Sequence, residues 1–372
     1  MPDNFQSLMN SATRLTRQGD LAAATAAIQA ALANAAPARA AYAQNQQQRY
    51  RGDRVIRLAA PERPGDIDVS VPSKQHESAP ETQTPSIERF IAGRHGNEAT
   101  NGRDYKLYIP PRAGARALPL LVMLHGCTQN PDDFAAGTAM NALAAAQGLY
   151  VLYPAQSAKA NPQRCWNWFK HNHQTRGSGE PALIAGMTQA VMRSHLIDSD
   201  RVYVAGLSAG AAMAAILGDT YPDIFAAVGV HSGLATGVAN DLGTALAAMK
   251  GVDVKVQTCG SGVATIVFHG DADRTVHTSN ASQVIAACTG TGLNVTVTQL
   301  NTSGIRTTTR SEYRDANGAV IAEHWLVHGG AHAWSGGSVT GTYTDSRGPD
   351  ASAEMLRFFL QHPRAVRHRG LR

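Results

Sequence analysis

Residues 201–220 read Arg-Val-Tyr-Val-Ala-Gly-Leu-Ser-Ala-Gly-Ala-Ala-Met-Ala-Ala-Ile-Leu-Gly-Asp-Thr. Arg201 to Ala205 is a short, mostly apolar run of the kind that forms a buried strand, and the stretch from Ala209 to Thr220 predicts a helix. Between them, Gly206-Leu207-Ser208-Ala209-Gly210 matches G-x-S-x-G. In a chain with 35 glycines the five-residue pattern alone is weak. Its position between a strand and a helix is what gives it meaning. A sharp strand-to-helix turn holds the serine backbone in a strained conformation, where Cβ atoms on the flanking residues would clash. It also lifts the hydroxyl to a helix N-terminus, whose dipole favours developing negative charge. Ser208 is therefore the candidate nucleophile.

Working outward, five more short apolar runs alternate with helical stretches: Leu118 to Leu124, Leu149 to Tyr153, Phe225 to Val230, Ala264 to Phe268 and Ile321 to Val327. Runs apolar on both faces suit parallel strands covered on both sides. Helices are expected over Asp132 to Gln147, Glu180 to His195 and Ala209 to Thr220. The alternation predicts crossover units and a mainly parallel sheet flanked by helices, with functional groups just past the carboxyl ends of the strands. With the elbow, this is the pattern of an α/β-hydrolase fold.

A serine nucleophile needs a base, and the base an orienting acid, in the chain order Ser, acid, His for this fold. Asp273, in His269-Gly270-Asp271-Ala272-Asp273 after a predicted strand, is the candidate acid; Asp271 is the rival, and the loser is a turn-forming Asp. His332, in Gly329-Gly330-Ala331-His332-Ala333-Trp334, is the candidate base, because glycines before it leave the imidazole free to reach the elbow. His324 and His328 are rivals, within or at the edge of a strand. The tetrahedral oxyanion needs donors. The N–H of Ala209 is one candidate, and the N–H of Cys127 or its neighbour, in His125-Gly126-Cys127 after the first strand, is the other.

These motifs, taken with Cys127-Thr128-Gln129-Asn130, Cys165-Trp166-Asn167-Trp168-Phe169, Ala211-Ala212-Met213 and Tyr221-Pro222-Asp223, resemble the polyhydroxybutyrate depolymerase family of esterases. That family is close to feruloyl and acetyl-xylan esterases. The likeness runs over about residues 90 to 362, with the oxyanion segment before the serine, as in the type I catalytic domain. It implies Ser208, Asp273 and His332 as a triad, no metal or organic cofactor, and an approach of Cys127 to Cys165 beside the site. The expected reaction is hydrolysis of a polyester, poly(3-hydroxybutyrate) first. A feruloyl or acetyl-xylan type carbohydrate esterase is the alternative. A catalytically inactive granule-binding protein is the reading from another class. Trp334 and Trp166 are expected to line the substrate pocket, and Trp168 to pack in the core.

Composition bounds the rest. Hydrophobic residues make up 43% and charged residues 16% of 372, which excludes a disordered polyelectrolyte. Net charge is +5, with part of the excess in the tail Arg364, Arg367, His368, Arg369 and Arg372, and no nucleic-acid motif accompanies it. No run approaches the ~18 apolar residues of a membrane span. The start, Met1-Pro2-Asp3-Asn4, lacks a basic and apolar leader, so the expected location is cytoplasmic and granule-associated; a leader outside this chain would make it extracellular. The four cysteines, Cys127, Cys165, Cys259 and Cys288, read either as free thiols or as two disulfides.

By composition the chain divides into an amphipathic helical hairpin over 1–36, a Pro/Ala/Gln-rich linker over 37–85, the catalytic domain over 86–362 and a basic tail over 363–372. In the hairpin, Phe5, Leu8, Met9, Ala12 and Leu15 form one stripe, and Leu21, Ala24, Ile28 and Leu32 another. So small a hairpin cannot bury a core alone and should dock on the main domain, on a second copy or on some other apolar surface, a storage granule being one candidate.

Overall fold

The structure, a computed structural model, describes residues 89–96, 102–252, 262–289, 293–301 and 305–364. The chain divides after Pro80, and every described element lies in the second unit, Glu81–Arg372. The expected hairpin, the linker and the tail beyond Arg364 lie outside the described residues.

In chain order the elements are β1 (Arg89–His95), β2 (Arg103–Ile109), β3 (Leu118–Leu124), α1 (Pro131–Thr138), α2 (Met140–Gln147), β4 (Tyr150–Pro154), α3 (Gly179–Ser194), β5 (Ile197–Leu207) and α4 (Ala209–Thr220). There follow β6 (Ala227–His231), α5 (Leu242–Met249), β7 (Ala264–Gly270), α6 (Ser279–Thr289), β8 (Asn294–Leu300), β9 (Thr308–Arg314), β10 (Val320–Val327), β11 (Trp334–Ser335), β12 (Thr344–Asp345) and α7 (Ala351–Gln361). Ten strands form one sheet in the order β1-β2-β4-β3-β5-β6-β7-β10-β9-β8. The six central strands, β4 to β10, run parallel, and antiparallel pairs extend both edges.

Alternation along each central strand feeds two cores. In β3, Leu118, Leu120, Val122 and Leu124 face one core with Val202, Val204, Val228 and Val267. Leu121 and Met123 face the other, with Tyr203, Ala205, Ile266, Phe268 and Trp325. Residues of α3, α4 and α6 close the first core, and those of α1, α2 and α7 the second. Burial on both faces is why these strands carry apolar residues at successive positions. The expected α/β-hydrolase fold, a mainly parallel sheet flanked by helices, is the fold observed.

One expected helix is two. The run from Asp132 to Gln147 breaks at Ala139, whose φ is 52°. The carbonyl of Thr138 there accepts from the Ser352 hydroxyl of α7 at 2.7 Å, a tertiary bond in place of a helical one. Asn130 caps α1, its side chain accepting from Asp133 N at 3.0 Å, with Pro131 in the first turn.

Candidate active site

Ser208 stands between the last residue of β5 and the first of α4, with φ 58° and ψ −119°. A side-chain-bearing residue rarely adopts this conformation, and it persists only where its surroundings enforce it. Ser208 N–H donates to the His231 carbonyl at 2.9 Å, and its own carbonyl accepts from Ala212 N–H at 3.0 Å. A Cβ on Gly206 would collide with the backbone of Gly210, and one on Gly210 with the carbonyl oxygen of Leu124. The start of α4 can therefore lie directly against the end of β3.

The loops that carry the candidate acid and base follow β7 and β10, which pair in parallel. His332 Nδ1 is 2.6 Å from Asp273 Oδ2. Oδ1 of Asp273 accepts from Thr275 N–H at 2.8 Å and Val276 N–H at 2.9 Å. His269 Nε2 lies 3.5 Å from Oδ2 and donates to the Val276 carbonyl at 2.9 Å. Burial pushes the Asp273 pKa up, but hydrogen bonds from His269 and His332, with the Val276 amide, outweigh it and hold the carboxyl well below its ordinary range. Asp273 stays ionised, so Nδ1 of His332 carries the proton in that bond and Nε2 is left as the basic nitrogen. The rivals pair elsewhere. Asp271 accepts from His328 Nδ1 at 2.8 Å and Gly329 N–H at 2.7 Å. His324 lies in β10, where burial, with His269 nearby, lowers its pKa to about 4.

The loop after β3 is held from three sides. Gln129 Oε1 accepts from Gly126 N–H at 2.9 Å, while its Nε2 donates to Asp133 Oδ2 and the Thr342 carbonyl, both at 3.1 Å. The Trp166 indole N–H donates to the His125 carbonyl at 3.1 Å. A disulfide joins Cys127 to Cys165. The Cys127 N–H has no protein acceptor among the described residues. Ala209 is the first residue of α4, so its N–H is one of those a helix leaves without an internal partner. Cys288 carries a free thiol, so among the described residues one of the two disulfides considered is formed; Cys259 lies outside them.

Two expectations need correcting. Trp166 and Trp334 do not line a pocket: their side chains are 0% and 1% exposed. Trp166 holds the loop after β3 through its bond to the His125 carbonyl. Trp334 turns inward, its N–H donating to Ser352 Oγ at 3.0 Å and its ring packed edge-on against Phe134. Buried indoles need an N–H acceptor, and both found theirs in the interior. Trp168 packs in the core, as expected. Sequence reasoning missed Gln129, His231 and His269. Gln129 lay within a quoted motif, but nothing in the sequence marked its partners.

A cavity of about 1330 Å³ opens beside the loop after β3. His125 and Asn130, on either side of Cys127, line it, as do Gln156, Lys159, Arg164, Asn167 and Lys170; Ser208, Asp273 and His332 do not. Among the described residues, no cluster of His, Cys, Asp or Glu could hold a metal ion, and no helix is long and apolar enough to cross a membrane.

Residues 103–312 match the Esterase PHB depolymerase family, and the chain belongs to that family. It is 33% identical over 252 residues to poly(3-hydroxyalkanoate) depolymerase C of Paucimonas lemoignei, covering 63% of this chain and 60% of that one. It is 34% identical over 145 residues to feruloyl esterase B of Thermothelomyces thermophilus, covering 39% of this chain and 48% of that one. The chain thus spans 60% or less of the length of these relatives. In fold it is similar to an acetyl xylan esterase from Aspergillus awamori, with a TM-score of 0.56 and 18% identity, covering 73% of this chain and 99% of the other.

Proposed function

We propose that this chain is a serine esterase that hydrolyses polyester bonds of the poly(3-hydroxybutyrate) type, with Ser208 as nucleophile, His332 as base and Asp273 as the orienting acid. The observation that carries the reading is the part-buried Asp273–His332 pair at 2.6 Å, in a family member whose Ser208 occupies a strained strand-to-helix turn. His332 Nε2 takes the Ser208 proton as Oγ attacks the ester carbonyl. The N–H groups of Ala209 and Cys127 hold the oxyanion. The alcohol end of the ester leaves with the proton from His332, and water activated by His332 then frees the acyl group. Asp273 fixes the ring and stabilises its charged form.

The test uses the purified protein and Ser208→Ala, each given amorphous polyhydroxybutyrate granules and, separately, methyl ferulate. Hydroxybutyrate released by the native protein alone supports the reading. Ferulate without hydroxybutyrate overturns the substrate, and no acid from either overturns the activity.

The second reading, a carbohydrate esterase, is favoured by the cavity beside Cys127, whose charged and amide side chains suit a hydroxyl-rich alcohol better than a polyester. The Cys127–Cys165 disulfide likewise favours an oxidising compartment over the cytoplasm. In the polyester reading, residues 1–36 contact the storage granule through their two apolar stripes. Deleting residues 1 to 40 and finding unchanged granule binding would remove that part.

A further inference from the structure

His231 ends β6 and touches both halves of the site. Its carbonyl accepts the Ser208 N–H at 2.9 Å. Its ring Nε2 accepts the Ser335 N–H at 2.9 Å, three residues beyond His332. Nδ1 stands 3.2 Å from Ser232 Oγ. The ring stacks with Trp334 and Phe268, centroids 5.0 and 5.8 Å away. Hydrolysis itself gives this imidazole no step.

We propose that His231 is a positioning residue that sets His332 against Ser208, because one residue holds the elbow through its carbonyl and the histidine loop through its ring. The inference rests on the esterase reading and adds a specific chemical requirement to it. Ser335 N–H is a donor, so Nε2 of His231 must keep its lone pair and the ring proton must sit on Nδ1, facing Ser232. The ring therefore has to be neutral whenever the loop is in place. The titratable groups around it are His269, His332 and Asp273. Burial, with the two histidines and against Asp273, lowers its pKa to about 3, which keeps it neutral wherever His332 can act as a base. An apolar ring could occupy the same space and stack in the same way, but it would leave the Ser335 N–H buried without an acceptor. The loop would then settle elsewhere, and a misplacement of ~1 Å at a reacting group costs on the order of 100-fold in rate.

The experiment compares His231→Gln, His231→Asn and His231→Phe with the native protein. It measures kcat and KM on a short-chain p-nitrophenyl ester, and the rate of Ser208 labelling by a fluorophosphonate. The Gln oxygen reaches about as far as Nε2, whereas the Asn oxygen stops near Nδ1 and the Phe ring has no acceptor. Gln is expected to keep kcat within about fivefold of native, and Asn and Phe to lose a further tenfold or more, with KM unchanged within about twofold. Equal kcat in Gln and Asn, or a native kcat in a folded Phe variant, overturns the inference. Gln and Asn both lose the ring, so a general loss of packing would affect them alike and be recognised. A native protein with neither turnover nor Ser208 labelling overturns the esterase reading itself, before any variant is compared.

Discussion

Asp271 and His328 form a hydrogen-bonded pair of their own, Nδ1 to Oδ2 2.8 Å, beside the pair that Asp273 makes with His332. Two acids and two histidines from the same two loops have been sorted by burial: Asp273 is enclosed, while Asp271 and His328 remain in contact with solvent. The expected consequence is a sharp asymmetry between conservative variants. Asp273→Asn should lower kcat by roughly 10³–10⁴-fold, because an amide favours the wrong tautomer of the base. Asp271→Asn should change kcat by less than about fivefold, since a surface pair of this kind contributes ~1 kcal/mol or less. Steady-state rates on one soluble ester decide between them.

The close approach of α4 to β3 gives a second prediction. Gly210→Ala places a methyl group against the Leu124 carbonyl, a backbone atom that cannot rotate away. It should cost ~1–3 kcal/mol or more in stability, read as a lower denaturant midpoint, and it should displace Ser208 enough to abolish fluorophosphonate labelling.

The disulfide gives a third. Cys127 and Cys165 are 38 residues apart in sequence. Closing a loop of that size stabilises by about 4 kcal/mol in the chain-entropy description. Reduction, or Cys165→Ser, should therefore lower the melting temperature. It should also reduce kcat more than KM, because Cys127 carries one of the two proposed oxyanion donors. A thermal melt and a rate measurement with and without reductant test both.

Stability should also depend on pH, with a sign fixed by the buried histidines. Burial lowers His125 to about 4, His231 to about 3 and His324 to about 4. An unfolded chain binds a proton at each of them below its ordinary value of about 6.5, while the folded chain does not. Stability is therefore full above about pH 6.5 and falls between pH 6.5 and 4, by up to about 1.4 kcal/mol per pH unit for each histidine. Asp273 adds to the loss at lower pH, since its folded pKa is depressed: its contribution is present above about pH 4 and disappears as pH drops toward the folded value. Urea midpoints at pH 7.5, 6 and 5 should decline in that order.

The parallel centre of the sheet was legible because both its faces are buried, so each strand announces itself as an apolar run. The edges were not. In β8, six of seven residues are exposed, and β9 is built largely from Thr, Arg, Ser and Glu, so neither shows the contrast on which such reading depends. The strand-to-helix turn at Ser208 was legible because it constrains five adjacent residues. The pairing of Asp273 with His332 was legible from their places after strands, but the burial of the tryptophans was not. The side a Trp334 indole takes is decided by Ser352, 18 residues further on in α7, and Trp166 is drawn to His125, 41 residues before it. His231 was invisible for a like reason: its ring partner Ser335 is 104 residues away, and no local pattern marks the pairing.

Gly270 repeats at the acid loop what Gly206 and Gly210 do at the elbow: a Cβ there would strike the carbonyl of Gly330, in the loop that leads to His332. Each segment carrying a proposed catalytic group is thus packed against a neighbour at a position with no room for a side chain. No other coded amino acid lacks a Cβ, so every missense change at these codons crosses the same steric threshold. Such positions offer drift no intermediate between glycine and a backbone collision.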